Sequence, residues 1–149
     1  MISTFAYFSD PEPQGAEYGY LDEHAAGTSW AAPQVAGIVA LMLKMNPALT
    51  PAEVKYILEA TATDITASPA SVGYDDYTGF GLVNAQKAVT MAMKQALPAD
   101  WNGDGNVETL DAVQYTVDYT NADPMTDLNL DTTHTTDDMA IFLNSYTGN

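Results

Sequence analysis

The sequence contains no cysteine and no arginine, and it has only two histidines. Without cysteine, the fold has no disulfide and no thiol chemistry. Four lysines stand against twenty acidic residues, which gives a formal net charge of −16. Because nucleic-acid binding depends on cations that neutralise phosphates, the composition predicts no nucleic-acid partner.

The sequence also lacks a hydrophobic run long enough to cross a bilayer, which takes about 20 apolar residues. The longest apolar stretch begins near Ser29 and is interrupted by Pro33, Gln34 and Gly37 before it reaches Lys44. The opening residues "MISTFAYFSDPEPQ" lack the basic start and continuous apolar core of a signal peptide. We therefore expect no membrane span in these 149 residues.

The stretch "AAGTSWAAPQVAGIVALMLK", residues 25–44, predicts a helix that begins at Ser29 and is apolar on every side. Such a helix is typical of a protein core, and Pro33 is tolerated in its first turn. The free N–H groups and the positive dipole end at the start of a helix favour developing negative charge. Ser29 is therefore either a nucleophile whose attack creates an oxyanion or an ordinary helix cap.

The string "GTSWAAPQVAG" resembles the nucleophile motif G-T-S-M-A-A-P-H-V-A-G of subtilisin-like serine proteases. Trp30 replaces the usual Met and Gln34 the usual His, and the spacing is intact. The resemblance implies that Ser29 is the catalytic nucleophile, that its backbone N–H is one oxyanion donor, and that the substrates are proteins or peptides. It also implies that residues 1–97 form the C-terminal part of an α/β, three-layer catalytic domain, with a strand at residues 2–4.

Two further helix starts follow the serine. In "NPALTPAEVKYILEATATDI", Thr50 is the predicted cap, Pro51 the first helical residue and Glu53 the partner in a capping box. In "GYDDYTGFGLVNAQKAV", which resembles the closing segment of the protease family, Asn84 is the predicted cap of the last helix. The predicted packing residues around that helix start are Val83, Ala85, Ala88 and Val89.

A serine nucleophile needs a general base, and the base needs an orienting carboxylate. The resemblance places both well upstream of the serine, in motifs that this sequence does not contain. His24 lies in a polar loop outside the family's histidine motif, and His134 lies near the C-terminus, so we expect both to be plain surface histidines. We therefore expect Ser29 in this chain to be inactive without an upstream His and Asp.

The composition changes after Pro98. Residues 1–97 carry ten acids and all four lysines, a formal charge of −6, whereas residues 98–149 carry ten acids and no lysine, a charge of −10. A short segment with so much unpaired charge repels itself unless it is disordered or binds cations. The sequence therefore predicts two domains, residues 1–97 and residues 98–149.

The spacing of the acids in the tail favours cation binding. "DWNGDGNVETLD", residues 100–111, has the length and oxygen spacing of a calcium loop, with Gly105 at the sharp turn of position six. Asn106 contributes its backbone carbonyl, Glu108 binds directly or through water, and Asp111 replaces the usual closing Glu. The predicted calcium ligands of this first loop are Asp100, Asn102, Asp104, Asn106, Glu108 and Asp111.

The pattern repeats 27 residues later in "DLNLDTTHTTDD", which begins at Asp127. Thr132 replaces the turn glycine, and a threonine is disfavoured at positive φ. We therefore expect a second calcium site that is weaker than the first. Its predicted ligands are Asp127, Asn129, Asp131, Thr133 and Asp138.

Each loop precedes a stretch with helical apolar spacing, residues 112–120 and 139–147. A tandem calcium loop plus helix resembles a type I dockerin, a small all-α module with two EF-hand-like loops that docks enzymes onto cohesin domains of a scaffold. The resemblance implies contact residues at Thr109 and Leu110 and at Thr136 and Asp137.

Two functions remain open at this point. The first is an extracellular or cell-surface subtilisin-like endopeptidase that carries a calcium-dependent dockerin. The second is a non-enzymatic, calcium-dependent docking protein whose protease segment is a remnant. A histidine and an aspartate supplied to Ser29 in the native protein distinguish the first from the second.

Overall fold

The computed structural model describes residues 28–67 and 69–148, which form five α-helices and one 3₁₀ turn. The elements are α1 (Thr28–Met45), α2 (Pro51–Ala60), α3 (Ala85–Ala96), α4 (Thr109–Thr120), the 3₁₀ turn Pro124–Thr126, and α5 (Thr136–Thr147). The described residues contain no β-strand, only isolated bridges at Thr63–Leu82 and Asp75–Gly79. The α/β architecture predicted for residues 1–97 is thus not seen in their described part, and the strand predicted at residues 2–4 lies outside the described residues.

Helix α1 was expected to be buried, and that expectation is wrong for the described residues. Only Ala31 and Met42 are buried, whereas Trp30 is 60% exposed and Leu41 is 52% exposed. The physical reason is that α1 packs on one side, against α3, so that most of its apolar surface has no covering layer. Because α1 begins at Thr28, Pro33 lies in its second turn rather than its first, where it removes one intrahelical hydrogen bond.

Helices α2 and α3 begin where the local signals predict. The Thr50 hydroxyl accepts a hydrogen bond from the Glu53 N–H at 3.3 Å, and the Glu53 carboxylate accepts one from the Thr50 N–H at 2.6 Å. Pro51 is the first helical residue, and the Asn84 side chain accepts the Lys87 N–H at 3.0 Å at the start of α3. The two caps satisfy N–H groups that the helices cannot satisfy internally.

The three N-terminal helices share one core. Its buried members are Met42, Ile57, Leu58, Ala88, Met91 and Ala92. Of the residues predicted to pack around the start of α3, Ala88 is buried, Val83 and Val89 are partly buried, and Ala85 is exposed.

The tail has a second core, built mainly from aromatic rings. Trp101, Tyr115, Leu128 and Phe142 are buried in it. The Tyr115 and Phe142 rings, one from α4 and one from α5, stack with centroids 4.0 Å apart. Met125 packs against both cores, so the tail lies directly on the helices that precede it.

None of the helices in the described part of the chain is long and apolar enough to span a membrane.

Candidate functional site

Ser29 lies in the first turn of α1 and is exposed to solvent. Because the helix already begins at Thr28, Ser29 is inside the helix rather than at the cap position that precedes it. This placement does not favour the interpretation of Ser29 as an ordinary N-cap. Ser29 therefore lies in the N-terminal turn of α1, the end of a helix at which an anion is stabilised.

The two histidines give no base for Ser29 within the described residues. His24 lies outside them, so its expected surface position is not tested. His134 is exposed, and its Nε2 lies 2.8 Å from the carbonyl oxygen of Asp123. In residues 28–67 and 69–148, no hydrogen bond joins Ser29 to a histidine or a carboxylate.

In the first predicted calcium loop, the first and last acids accept hydrogen bonds from backbone N–H groups of the same loop. The Asp100 carboxylate accepts hydrogen bonds from the N–H groups of Gly103 at 2.9 Å, Asp104 at 3.1 Å and Gly105 at 2.9 Å. At the other end of the loop, the Asp111 carboxylate accepts the Asn102 N–H at 3.0 Å and the Glu108 N–H at 2.8 Å.

The second loop has the same hydrogen-bond pattern. Asp127 accepts from the N–H groups of Asp131 at 3.1 Å and Thr132 at 2.9 Å. Asp138 accepts from Leu128 at 2.9 Å, Asn129 at 3.2 Å and Thr135 at 2.9 Å. Both loops therefore place their first and last acids at equivalent positions, and each leads into a helix of twelve residues.

The middle acids of the two loops are also equivalent. Hydrogen bonds from the backbone N–H of Asn106 and the side chain of Asn102 lower the pKa of Asp104. The hydroxyl of Thr133, and then its N–H, lower the pKa of Asp131 in the same way. A lowered pKa favours the ionised form of both carboxylates, which is the form that binds a hard cation.

Position six is left-handed in both loops, as predicted for Gly105 and despite the preference of threonine against this region at Thr132. Gly105 has φ of 89° and Thr132 has φ of 74°, both in the left-handed region. A threonine in this region carries a strain that a glycine does not. The strain expected in the second loop is therefore present, although the loop keeps the shape of the first.

Three carboxylates of the tail lie in the interior of the protein. Asp111, Asp127 and Asp138 have no exposed surface, whereas the salt bridge that the described residues show joins Lys55 to Glu59 in α2. Buried charges are generally paired or coordinate a metal. The oxygen donors and the loop shape both fit calcium. In the described residues no three His, Cys, Asp or Glu side chains gather as a metal-binding group, so the amide, hydroxyl and carbonyl oxygens of the loops would have to complete the ligand set.

The four predicted partner contacts lie on the surface. Thr109 and Leu110 are in the first turn of α4, Thr136 and Asp137 are in the first turn of α5, and all are exposed. Sequence reasoning missed that the apolar surface continues from Leu110 along α4 to Val113 and Val117, each about half exposed. The spacing of these residues by three and four was the signal that could have revealed one helix face.

Sequence reasoning also missed the residues of α2 and α3 that contact the tail. The Tyr56 hydroxyl donates to Asp127 Oδ2 at 2.5 Å, and the Gln95 side-chain N–H donates to the Asp127 carbonyl at 2.9 Å. Lys94 Nζ donates to the Trp101 carbonyl at 2.9 Å. No local pattern identifies Tyr56 and Gln95, because their partner Asp127 lies 71 and 32 residues away along the chain.

Comparison with known proteins supports the first resemblance. Residues 14–81 match the Subtilase family. Over 79 residues the chain is 38% identical to fervidolysin of Fervidobacterium pennivorans, an alignment that covers 53% of this chain and 10% of that protein. It is 42% identical over 74 residues to subtilisin of Bacillus pumilus, covering 50% of this chain and 23% of that protein.

A third relative is an extracellular protease of Xanthomonas campestris pv. campestris, 47% identical over 68 residues, which cover 45% of this chain and 11% of that protein. The chain thus matches only a tenth to a quarter of the length of these relatives. No solved structure matches the chain. Residues 14–81 are accordingly similar to a segment of subtilisin-like serine proteases, and the match includes Ser29.

Proposed function

We propose that this chain is part of a subtilisin-like serine endopeptidase in which Ser29 is the nucleophile. The observation that carries the proposal is the position of Ser29 in the first turn of α1, inside a segment that matches the Subtilase family. A protease of this kind acts on proteins or peptides. One of the relatives is an extracellular protease, which supports a position outside the cell or at its surface.

In the proposed reaction, Ser29 Oγ bonds to the carbonyl carbon of the scissile peptide while its proton passes to a histidine. The oxygen that becomes negative is stabilised by the Ser29 N–H and the positive end of α1. The histidine then protonates the leaving amine, and water releases the acyl group by the reverse sequence. Because the described residues bring no histidine to Ser29, the reaction requires a His and an Asp from elsewhere in the native protein.

Labelling with a fluorophosphonate probe tests this proposal, with Ser29→Ala as the matched variant. We expect no labelling of this chain alone, and Ser29-dependent labelling of the native protein that contains the His and Asp. If the native protein is also not labelled, the non-enzymatic alternative, a docking protein with a remnant protease segment, replaces the first proposal.

We further propose that residues 98–149 are a dockerin-like module that binds calcium through two loops and attaches the protein to a cohesin domain. The two loops of similar shape and the buried carboxylates at their ends support calcium binding. The exposed stripe that starts at Leu110 supports a partner surface on α4. The metal would be held by the oxygen ligands of the two loops and would neutralise their acids.

Cohesin binding is tested by titrating the chain against type I cohesin domains with calcium and with a chelator. We expect calcium-dependent binding that Leu110→Asp abolishes. Val72→Asp is the matched control, because Val72 is 84% exposed in a loop outside the tail. Equal effects of the two variants would show that the α4 face is not the contact surface.

A further inference from the structure

The second loop lies against the helices that precede the tail. Asp127, its first residue, accepts the Tyr56 hydroxyl on Oδ2 and the Gln95 side-chain N–H on its backbone carbonyl. Tyr56 belongs to α2 and Gln95 to the last turn of α3. The residue that opens the second loop is therefore held by two side chains from outside the loop.

The first loop has no such support for its opening residue. In the described residues, the hydrogen bonds to the Asp100 carboxylate come from N–H groups of its own loop. Lys94 reaches the carbonyl of Trp101, one residue further on. What distinguishes Asp127 from Asp100 is thus the support from outside the tail, namely the Tyr56 hydroxyl and the Gln95 side chain.

Apolar contacts extend the attachment of the second loop. Leu130, inside the loop, and Met125, just before it, pack against the core of α1, α2 and α3. A cleft of about 140 Å³ lies beside this contact. One side is lined by residues of the preceding helices and their connections, among them Leu49, Glu53 and Gln95. The other side is lined by the loop residues Leu128, Asn129 and Leu130. The second loop therefore forms part of the surface at which the tail packs on the helices.

We propose that Tyr56 and Gln95 are positioning residues for the second loop, so that calcium binding there is coupled to the packing of the tail on α2 and α3. The inference rests on the proposed calcium binding and adds its regulation. It makes the second site a joint property of the two parts of the chain, whereas in the first loop the contact from Lys94 of α3 goes to Trp101 and not to the opening Asp100.

The coupling follows from how metal ligands are oriented. Three hydrogen-bond donors already fix the Asp127 carboxylate, namely Tyr56 and the N–H groups of Asp131 and Thr132. Partners of a ligand that hold its orientation commonly contribute 10- to 100-fold to metal affinity. By reciprocity, an ion that selects this orientation of Asp127 strengthens the contact with Tyr56.

The test uses the full chain and isothermal titration with calcium. Asp104→Ala silences the first loop, so that the remaining heat reports the second, and Tyr56→Phe is then added to remove only the hydroxyl. We expect Tyr56→Phe to lower the calcium affinity of the second site by ~10-fold. Asp131→Ala silences the second loop instead. In that variant, Tyr56→Phe is expected to change the calcium affinity of the first site by no more than about twofold.

Tyr119→Phe is the matched control, because Tyr119 stacks on Tyr115 in the tail core and has no contact with Asp127. A second readout is the thermal midpoint, whose increase on adding calcium is expected to be smaller in Tyr56→Phe than in Tyr119→Phe. If Tyr56→Phe leaves the calcium affinity of the second loop unchanged, the coupling is overturned but the calcium function is not. If neither loop of the unmutated chain binds calcium, the proposed calcium function fails, and the coupling fails with it.

Discussion

Lys94 lies in the last turn of α3, and its side chain is buried against the tail. Its Nζ donates to the Trp101 carbonyl and lies 3.4 Å from the centroid of the Trp101 ring. Burial lowers the pKa of Lys94 to about 8, although the carboxylates of Asp118, Asp123 and Asp111 oppose the shift. The residue therefore joins the two parts of the chain at an electrostatic cost.

The lowered pKa of Lys94 predicts a pH dependence of stability. Between about pH 8 and the ordinary value of 10.5, the unfolded chain keeps the proton that the folded chain has lost. Stability rises with pH wherever the unfolded state binds more protons. We expect the free energy of unfolding, measured in urea, to increase from pH 8 to pH 9.5.

Lys94→Met is the control for this dependence, because it removes the titrating group and keeps an apolar side chain of similar length. The variant is expected to show a flatter profile over the same interval. Parallel profiles for the two proteins would contradict the assignment to Lys94.

Thr50 supports a second prediction at the scale of one residue. Its hydroxyl caps α2 by accepting the Glu53 N–H, so Thr50→Ala leaves that N–H without its acceptor, whereas the backbone N–H of residue 50 keeps the Glu53 carboxylate. We expect Thr50→Ala to lower the free energy of unfolding by about 1 kcal/mol. Thr50→Ser keeps the hydroxyl and is expected to retain most of that energy; equal losses in urea denaturation would show that the cap contributes nothing.

At the scale of elements, the two loops form a natural pair for comparison. They share their hydrogen bonds and their left-handed turn at position six, and they differ there by Gly105 against Thr132. A Cβ at Gly105 would meet no atom within 4 Å, so the effect of a side chain at this position is conformational rather than steric. Position four is left-handed in both loops as well and carries Gly103 in one and Leu130 in the other, so substitution at position six is needed to isolate the strain of the threonine.

The reciprocal substitutions at position six test that strain. Thr132→Gly relieves about 1–2 kcal/mol of left-handed strain but adds about 0.4–1 kcal/mol of entropy to the unfolded chain. We expect a net stabilisation and tighter calcium binding at the second loop, and the opposite for Gly105→Thr at the first. Calorimetric titration and thermal melting measure both, and an unchanged or weaker second site in Thr132→Gly would show that its weakness has another cause.

At the scale of the whole molecule, charge is distributed very unevenly. The tail after Leu97 carries ten acids and no lysine, and three of those acids are buried. Such a segment is stabilised when a cation binds the folded state. Helix α1 at the other end exposes Trp30, Leu41, Leu43 and Met45, because α3 covers one of its sides.

Removal of calcium tests this view of the tail. At a free calcium concentration 100 times the dissociation constant, binding contributes about 2.7 kcal/mol. We expect a chelator to lower the unfolding midpoint followed by the fluorescence of Trp101, in a Trp30→Phe variant that leaves one tryptophan. Magnesium at equal ionic strength is the control, and a midpoint that does not respond to the chelator would contradict calcium binding by the tail.

The starts of α2 and α3, the twelve-residue loops and the position of Ser29 near a helix start were all predictable from the sequence. Each depends on residues within about twelve positions of one another, so the local pattern contains the whole cause. The polar caps Thr50 and Asn84 begin the helices because the first N–H groups need acceptors there. The glycine in the first loop predicts a left-handed turn because only glycine adopts it without strain.

The exposure of α1 and the contacts of the second loop were decided by the tertiary structure alone. Tyr56 and Asp127 lie 71 residues apart, and no short-range pattern pairs a tyrosine in one helix with an acid in a distant loop. An all-apolar helix is buried only to the extent that neighbouring elements cover it, and the described residues cover one side. The sequence by itself therefore determined where helices and loops begin, because those signals are local, whereas burial and long-range hydrogen bonds depend on how the completed elements pack.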